Sequence, residues 1–176
     1  MDTRQADIVV IVGGIVGCAA AYEAARAGMK TVLVEKGRIG GEQSSRNLGF
    51  VRQQGRDPFE LPLMRACMDL WKGLEAELGA DLGWRQGGNI ALAGTDEAMA
   101  RFAAWLPDAT AAGIDSRLLN PAEAAALLPG FEGRTHGALY TPSDGQAEPD
   151  LVAPAFAEAA RKRGAEILTG CAVRAL

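Results

Sequence analysis

Apolar and polar positions divide the start of the chain into segments of different periodicity. Residues 8–12 are an unbroken β-branched run, which predicts a strand buried on both faces of a sheet. The alanine-rich residues 18–27 predict a helix, and Gly28 is placed to end it. Residues 31–34 predict a second strand, which Glu35 follows directly. The pattern is therefore β-α-β.

Helical spacing dominates the middle of the chain. Five residues recur at that spacing and predict a helix with one core-facing side, ending near Gly79: Leu63, Cys67, Leu70, Leu74 and Leu78. Residues 84–93 predict a hairpin or a strand with a glycine turn. Thr95 is a cap residue for the next helix, which Pro107 is expected to break.

The last third of the chain continues with helix and strand. Asn120 and Glu123 are the two ends of a predicted capping box, and residues 150–163 predict an alanine-rich helix. His136 is the single histidine, and its position indicates a strand-entry turn rather than a catalytic base. Tyr140 is expected on a half-buried strand.

Glycines join the first strand to the first helix and predict a dinucleotide site. The predicted contact loop is Gly13, Gly14, Ile15, Val16 and Gly17. Glycine lets the backbone approach a pyrophosphate closely, and a helix N-terminus offers free N–H groups and a positive dipole end. Glu35 is positioned to accept hydrogen bonds from a ribose diol. Because strand, glycines, helix, second strand and acid occur in register, the unit predicts dinucleotide binding.

One position departs from the full G-x-G-x-x-G fingerprint. Aligned on Gly14 and Gly17, the fingerprint requires its first glycine where this chain has Val12. A β-branched residue tolerates positive φ badly, so either Gly13 takes up part of the turn or the loop is strained and binds cofactor more weakly. The alternative is that Val12 extends the strand and the loop binds nothing.

Composition and charge narrow the function classes. The 176 residues are 48% hydrophobic, 23% charged and 6% aromatic, which is typical of a globular domain. A net charge of -4 argues against a nucleic-acid partner, because no basic excess exists to neutralise phosphates. None of the three cysteines sits in a C-x-x-C, and with the single histidine too few ligands lie near one another for a Cys/His zinc site, so no metal ligand is predicted. The cysteines fit small apolar residues in a reducing compartment.

The uncharged residues 8–22 raise the alternatives of a membrane span and a signal peptide. The run is shorter than the roughly 20 residues that a span needs. Residues 15–18 resemble a bacterial lipoprotein cleavage box, but residues 1–7 contain two acids and one base where a signal needs positive charge. We predict no transmembrane segment and a cytoplasmic protein, either free or peripheral on the inner membrane face.

Three stretches together resemble the D-amino-acid oxidase and dehydrogenase family of FAD-dependent oxidoreductases. They are the β-α-β unit, residues 40–53 (GGEQSSRNLGFVRQ), and residues 137–149 (GALYTPSDGQAEP) with the helix and strand that follow. The resemblance covers essentially the whole chain. It implies FAD as the cofactor and a small-molecule amine or amino acid as the substrate.

The resemblance also implies further cofactor contacts. The loop along the FAD phosphates and ribityl chain would contain Ser44, Ser45, Arg46, Asn47 and Gly49. Arg52 and Gln53 would approach the flavin ring, and Lys36 would flank the adenosine ribose. Hydroxyls, amides and an arginine suit a diphosphate. The alternatives are an ordinary polar surface loop and a solvated lysine.

The resemblance further implies an α/β fold with interleaved domains. Residues 1–57 and 146–176 would form a Rossmann-like FAD-binding layer, and residues 58–145 would begin an α+β substrate domain. The length is about half of what the family calls for, so the chain is expected to be truncated at its C-terminus.

The family's chemistry is oxidation of a C–N bond by hydride transfer to flavin, with D-amino acids, glycine, sarcosine or hydroxyproline as substrate types. We name no catalytic residue, because the family's carboxylate-gripping arginine lies in the later half. The alternative is a truncated or split, non-catalytic FAD-binding fragment that needs a complementary chain or a homo-oligomer. A nicotinamide-dependent dehydrogenase lacks support, since no Tyr-x-x-x-Lys pair follows the unit.

Overall fold

The computed structural model describes residues 5–175, which contain eight strands, five α-helices and two short 3-10 helices, Gln43–Ser45 and Pro58–Glu60. The strands are β1 (Ile8–Ile11), β2 (Thr31–Val34), β3 (Phe50–Val51), β4 (Asn89–Ala93), β5 (Arg117–Leu119), β6 (Gly137–Thr141), β7 (Gly145–Gln146) and β8 (Glu166–Leu168). The helices are α1 (Ile15–Arg26), α2 (Leu61–Leu78), α3 (Asp96–Ala111), α4 (Pro121–Leu127) and α5 (Pro149–Lys162). The predicted α/β class is confirmed.

The chain divides into two compact units, each built from separate stretches of sequence. The first runs up to Gly49, continues with Leu74–Gly83 and resumes at Ala147. The second consists of Phe50–Gly73 and Trp84–Gln146. Helix α2 contributes to both, because its last turn belongs to the first unit.

The first unit contains a parallel sheet in the order β1-β2-β8. The predicted β-α-β unit is confirmed, although α1 begins at Ile15 and not near Cys18. Helices α1 and α5 pack together through their alanine-rich faces, where small side chains permit a close approach. Leu33 of β2 is fully buried.

The prediction that the first strand is buried on both faces is wrong for one of the two faces. Val9 is 59% exposed and Ile11 is 39% exposed. The physical reason is that β1 is an edge strand of this sheet, with β2 as its partner in the part of the chain that the structure describes. Val12 does not extend the strand, since its φ is 91°.

The second unit contains two antiparallel sheets. β6 lies between β4 and β5, and β3 pairs with β7. Two small apolar clusters support them, one formed by Leu61, Ala109 and Ile114, the other by Leu119, Ala124 and Ala138. Residues 84–93 do not form a hairpin, because the strand they contain, β4, pairs with β6.

The helices predicted for the middle region are present, but the buried face of α2 differs from the predicted one. α2 ends before Gly79 as predicted, but Leu63 and Leu70 are 64% and 65% exposed. Leu61 and Met68 are buried in their place, so the buried face of the helix is rotated from the predicted one. The predicted capping box at Asn120 is confirmed.

Pro107 does not break helix α3, which Thr95 caps as predicted and which continues to Ala111. A proline inside a helix removes one hydrogen bond and crowds the preceding turn. Ala109 lies beyond the proline and is fully buried against Leu61 and Ile114. Packing of this last turn against Leu61 and Ile114 holds the helix beyond the proline.

Candidate cofactor-binding site

The turn from β1 to α1 is formed by a residue with a side chain. Val12 has a φ of 91°, and it is the sole non-glycine residue with positive φ among the described residues. Its backbone is held in place, because the Val12 N–H donates to the Val34 carbonyl at 2.9 Å. Gly13 does not adopt the positive φ that the turn requires, so the loop is strained at Val12. Such a conformation costs on the order of 1–3 kcal/mol for a β-branched residue.

The glycines of the loop permit close approaches that side chains would block. A Cβ atom on Gly17 would overlap the Val12 carbonyl oxygen. A Cβ atom on Gly13 would lie 2.6 Å from the Ile39 side chain, and one on Gly14 would lie 3.1 Å from Ser44 Oγ. The glycines therefore let the loop pack closely against Val12, Ile39 and Ser44 without a steric clash.

The N-terminus of α1 has neither a cap from its own first residue nor a negative charge in its first turn. Gly14 is the N-cap, so it has no side chain to cap the helix, and no acidic residue occupies the first turn. The Ile15 N–H donates to Ser44 Oγ at 2.9 Å, so a residue 29 positions away supplies the cap. This positive helix end, cradled by glycine, fits a diphosphate.

Glu35 positions the glycine loop. Its Oε2 accepts from the Gly13 N–H at 2.7 Å, and its Oε1 accepts from the Gly37 N–H at 2.6 Å. The Gly13 amide, and then the Gly37 amide, hold the pKa of the Glu35 carboxyl below its ordinary value, so the group is charged at neutral pH. Each oxygen keeps a lone pair for a further donor, such as a ribose hydroxyl.

A small slot opens beside Glu35. Its volume is about 140 Å³, and it is lined mainly by Ile11, Val12, Val34, Glu35, Lys36 and Cys171. Cys171 is exposed, and its N–H donates to the Glu35 carbonyl at 2.9 Å. Sequence reasoning missed this cysteine at the site, because no spacing rule connects residues 35 and 171.

The loop predicted to follow the phosphates is organised by its own hydrogen bonds. Asn47 Nδ2 donates to the Ser44 carbonyl at 2.9 Å, and Asn47 Oδ1 accepts from the Gly49 N–H at 2.8 Å. Ser45 Oγ donates to the Glu42 carbonyl at 3.3 Å. The structure thus brings Ser44 to the glycine loop, while Ser45 and Asn47 stabilise their own segment.

Two exposed cations lie near that segment, each beside the same acid. Lys36 Nζ is 3.5 Å and Arg46 Nη1 is 3.7 Å from Glu42 carboxylate oxygens. All three side chains are more than half exposed, so these ion pairs contribute little to stability. Both cations remain available to an anionic ligand.

Arg52 and Gln53 lie in the second unit. Arg52 Nη1 donates to the Gln54 carbonyl at 2.8 Å. Gln53 is fully buried, and its N–H donates to Asp144 Oδ1 at 2.8 Å, while its Oε1 is a buried oxygen without a hydrogen-bond partner. Burial raises the pKa of Asp144, against the opposing effect of the amides that donate to it.

His136 and Tyr140 occupy the positions that the sequence predicts, one at the entry to a strand and the other on the strand. His136 precedes β6, and its Nδ1 lies 2.7 Å from Asp96 Oδ1 at the exposed start of α3. Tyr140 is partly buried on β6, with the Arg117 guanidinium 5.5 Å from its ring centre. Among the described residues, no cluster of potential metal ligands and no helix able to cross a membrane was found.

Comparison with known proteins relates the chain to a protein family. A family model described as FAD dependent oxidoreductase matches residues 7–176. Mitochondrial sarcosine dehydrogenase of Mus musculus is 31% identical over 96% of this chain and 19% of its own length. Glycine oxidase of Geobacillus kaustophilus is 30% identical over 93% of this chain and 45% of its own length.

The fold has solved counterparts as well. The structure of an L-amino acid deaminase from Proteus myxofaciens superposes with a TM-score of 0.93 at 28% identity, covering 99% of this chain and 40% of that one. This chain therefore spans less than half the length of each of these three proteins.

Proposed function

The chain belongs to the FAD-dependent oxidoreductase family, and from this premise we propose that it provides the cofactor-binding part of an enzyme oxidising a C–N bond. The substrate would be an amino acid or a secondary amine, of the D-amino-acid, glycine, sarcosine or hydroxyproline type. The observation that carries the proposal is the glycine loop, which leads into the N-terminus of α1 and is held by Glu35. FAD is the cofactor of the family.

The residues present fit FAD, with Val12 as the exception. Gly13, Gly14 and Gly17 would admit the diphosphate against the backbone, and Ser44 would orient the loop beside it. Glu35 would accept hydrogen bonds from the adenosine ribose. Bound FAD supplies a hydride acceptor for the carbon next to the amine nitrogen.

The further contacts in the proposal rest on the family resemblance. Ile15 and Val16 would face the cofactor at the first turn of α1, and Lys36, Ser45, Arg46, Asn47 and Gly49 would frame it along the loop. Arg52 and Gln53 would lie toward the flavin, and the unpartnered Gln53 Oε1 supports a role in accepting a hydrogen bond there. Residues 1–57 and 146–176 would form the FAD-binding layer, and residues 58–145 would begin the substrate domain.

A second candidate is a non-catalytic FAD-binding fragment that needs a complementary chain. The strained Val12 at the position of the first fingerprint glycine favours it, because strain in the loop opposes tight binding. In both candidates the three free cysteines fit a reducing, cytoplasmic compartment.

The visible absorption spectrum separates the two candidates. The chain is purified with excess FAD, freed of unbound FAD and titrated anaerobically with sarcosine, glycine, proline and D-alanine. Flavin bands that one of these amines bleaches support the enzyme. Flavin bands that none of them bleaches favour the binding fragment, and the absence of any bound flavin contradicts both candidates for this chain.

A further inference from the structure

The segment that follows β3 is anchored by one buried carboxylate. Asp144 is fully buried, and its Oδ1 accepts from the Gln53 N–H at 2.8 Å. Its Oδ2 accepts from the Gln54 N–H at 3.2 Å. The two oxygens of one side chain therefore fix two successive peptide planes, which leaves the backbone between Arg52 and Gln54 little freedom.

The segment then closes into a tight turn that is held at its far end. Gly55 has a φ of 67°, and the Gln53 carbonyl accepts from the Arg56 N–H at 3.3 Å. A turn with positive φ at this position favours glycine. Trp105 Nε1 donates to the Arg56 carbonyl at 2.8 Å, so helix α3 holds the last residue of the turn.

The Gln54 side chain locks the middle of the turn to a sheet. It is 2% exposed, and its Nε2 donates to the carbonyls of Asn89 at 2.9 Å and Leu139 at 3.1 Å. Its Oε1 accepts from Asn89 Nδ2 at 3.1 Å. Asn89 and Leu139 lie on the paired strands β4 and β6. Gln54 therefore cannot turn without breaking hydrogen bonds to two strands.

This turn determines the direction of one charged side chain. Arg52 Nη1 donates to the Gln54 carbonyl at 2.8 Å. Arg52 is partly buried, and none of the ion pairs between described residues includes it. Since the guanidinium is bonded to the backbone and not to an acid, its position follows the Gln54 carbonyl, and no described acid neutralises its charge.

We infer that Asp144 is a positioning residue, which acts through Gln54 to hold the Arg52 guanidinium in place. The inference rests on the proposed function, in which Arg52 lies toward the flavin. A cation at that position favours the reduced flavin, which carries more negative charge than the oxidised form. Asp144 would thereby help to set how readily the flavin accepts a hydride, through Gln54 and Arg52 and not through a contact of its own.

The arginine-selective reagent phenylglyoxal tests the positioning without FAD. In the wild-type chain Arg52 should react about tenfold more slowly than Arg101, an exposed residue of α3, because the guanidinium has to leave its hydrogen bond first. Asp144→Asn should remove most of this protection. Peptide mass spectrometry measures both arginines in one sample. If Asp144→Asn does not fold, Gln54→Ala takes its place, because it releases the turn from β4 and β6, and it should show the same increase at Arg52.

Leu119→Ala is the matched control for a general loss of stability. Leu119 is buried in a core cluster of the second unit and makes no part of the turn. The variants are compared at equal folded fraction, which is set with urea. Asp144→Asn should then expose Arg52 to the reagent, and Leu119→Ala should not. Equal Arg52 rates in the two variants, or an Arg52 that reacts as fast as Arg101 in the wild-type chain, would overturn the inference.

The reduction potential of bound flavin provides the second readout. Arg52→Met should lower the potential because the cation is lost, and Asp144→Asn should lower it by a smaller amount, while Leu119→Ala should leave it unchanged. A wild-type potential in Asp144→Asn contradicts the inference. A chain that binds no flavin contradicts the proposed function instead, and the phenylglyoxal rates then remain the test of Asp144.

Discussion

At the scale of single residues, the site depends on one backbone conformation and one carboxylate. Val12 adopts a positive φ, and the Glu35 carboxylate accepts a hydrogen bond from the N–H of the next residue, Gly13. Cys171 enters the same site from the end of the chain.

Replacing Val12 with glycine should strengthen FAD binding and stabilise the chain. Glycine adopts positive φ without strain, so the free energy of unfolding should rise by about 1 kcal/mol after the entropic cost of glycine is included. FAD dissociation constants from fluorescence quenching and urea unfolding curves measure both effects. Leu63→Ala, at a 64% exposed position of α2 outside the proposed cofactor site, is the control. An unchanged dissociation constant in Val12→Gly would show that the turn does not limit binding.

Glu35→Gln should change how stability depends on pH. The folded-state pKa of Glu35 is lowered, so its contribution is present above the ordinary glutamate pKa and is lost as pH falls through the folded value. The wild-type chain should therefore lose stability below about pH 4.3, and the variant should lose less. Urea midpoints between neutral and acidic pH measure this difference. Equal slopes for the two proteins in that window would contradict the assignment.

The thiols should separate by reactivity, and the cofactor should protect one of them. Burial raises the pKa of the Cys18 thiol to about 11, so Cys18 should resist iodoacetamide at pH 8 in the folded chain. Cys171 is exposed at the slot beside Glu35, so it should react quickly and FAD should slow its reaction. Peptide mass spectrometry measures both rates. Reaction at Cys171 that is indifferent to saturating FAD would exclude the slot from the cofactor site.

At the scale of elements, helix α1 obtains its cap from a distant loop. The loop of residues 40–49 bonds within itself through Asn47, and this presents Ser44 to the Ile15 amide. A helix that begins on glycine lacks a side-chain cap of its own. The helix and the loop are therefore coupled through a single hydroxyl.

Ser44→Ala should lower the free energy of unfolding by about 1 kcal/mol, because the first turn of α1 loses its cap. Ser45→Ala is a matched control, since the Ser45 hydroxyl donates to a carbonyl within its own exposed turn. Urea unfolding measures both variants. A loss in Ser45→Ala equal to that in Ser44→Ala would show that the effect belongs to the loop and not to the cap.

At the scale of the molecule, the second compact unit is closed by hydrogen bonds between distant parts of the chain. The bond from Gln53 to Asp144 connects residues 91 positions apart in the second unit. Asp144 is fully buried and also accepts from the Gln54 N–H at 3.2 Å. Such closures make the unit depend on the order of all segments and not on local propensity.

Asp144→Asn should destabilise the chain by about 2 kcal/mol, because an amide cannot accept at both positions that the carboxylate oxygens occupy. Asp108→Asn, on the exposed surface of α3, is the control. Hydrogen exchange should locate the loss in the amides of Gln53 and Gln54. A uniform acceleration across all strands, or no loss of stability, would contradict this role for Asp144.

The local elements and the family could be predicted from the sequence because both depend on short-range patterns. The β-branched runs, the glycines after the first strand, the caps at Thr95 and Asn120 and the three motifs lie within short windows of sequence. The breaking of α3 at Pro107 was predicted wrongly, because the local rule does not include the packing of Ala109 against distant residues.

What the sequence determined by itself was the β-α-β unit, the glycine loop and the FAD-dependent family. Only the tertiary structure decided that Val12 takes the positive φ, that Ser44 caps α1, that Cys171 reaches Glu35 and that one face of β1 is uncovered. The reason is physical. Periodicity reports which residues seek burial, whereas hydrogen-bond partners and exposed faces depend on which distant segments meet.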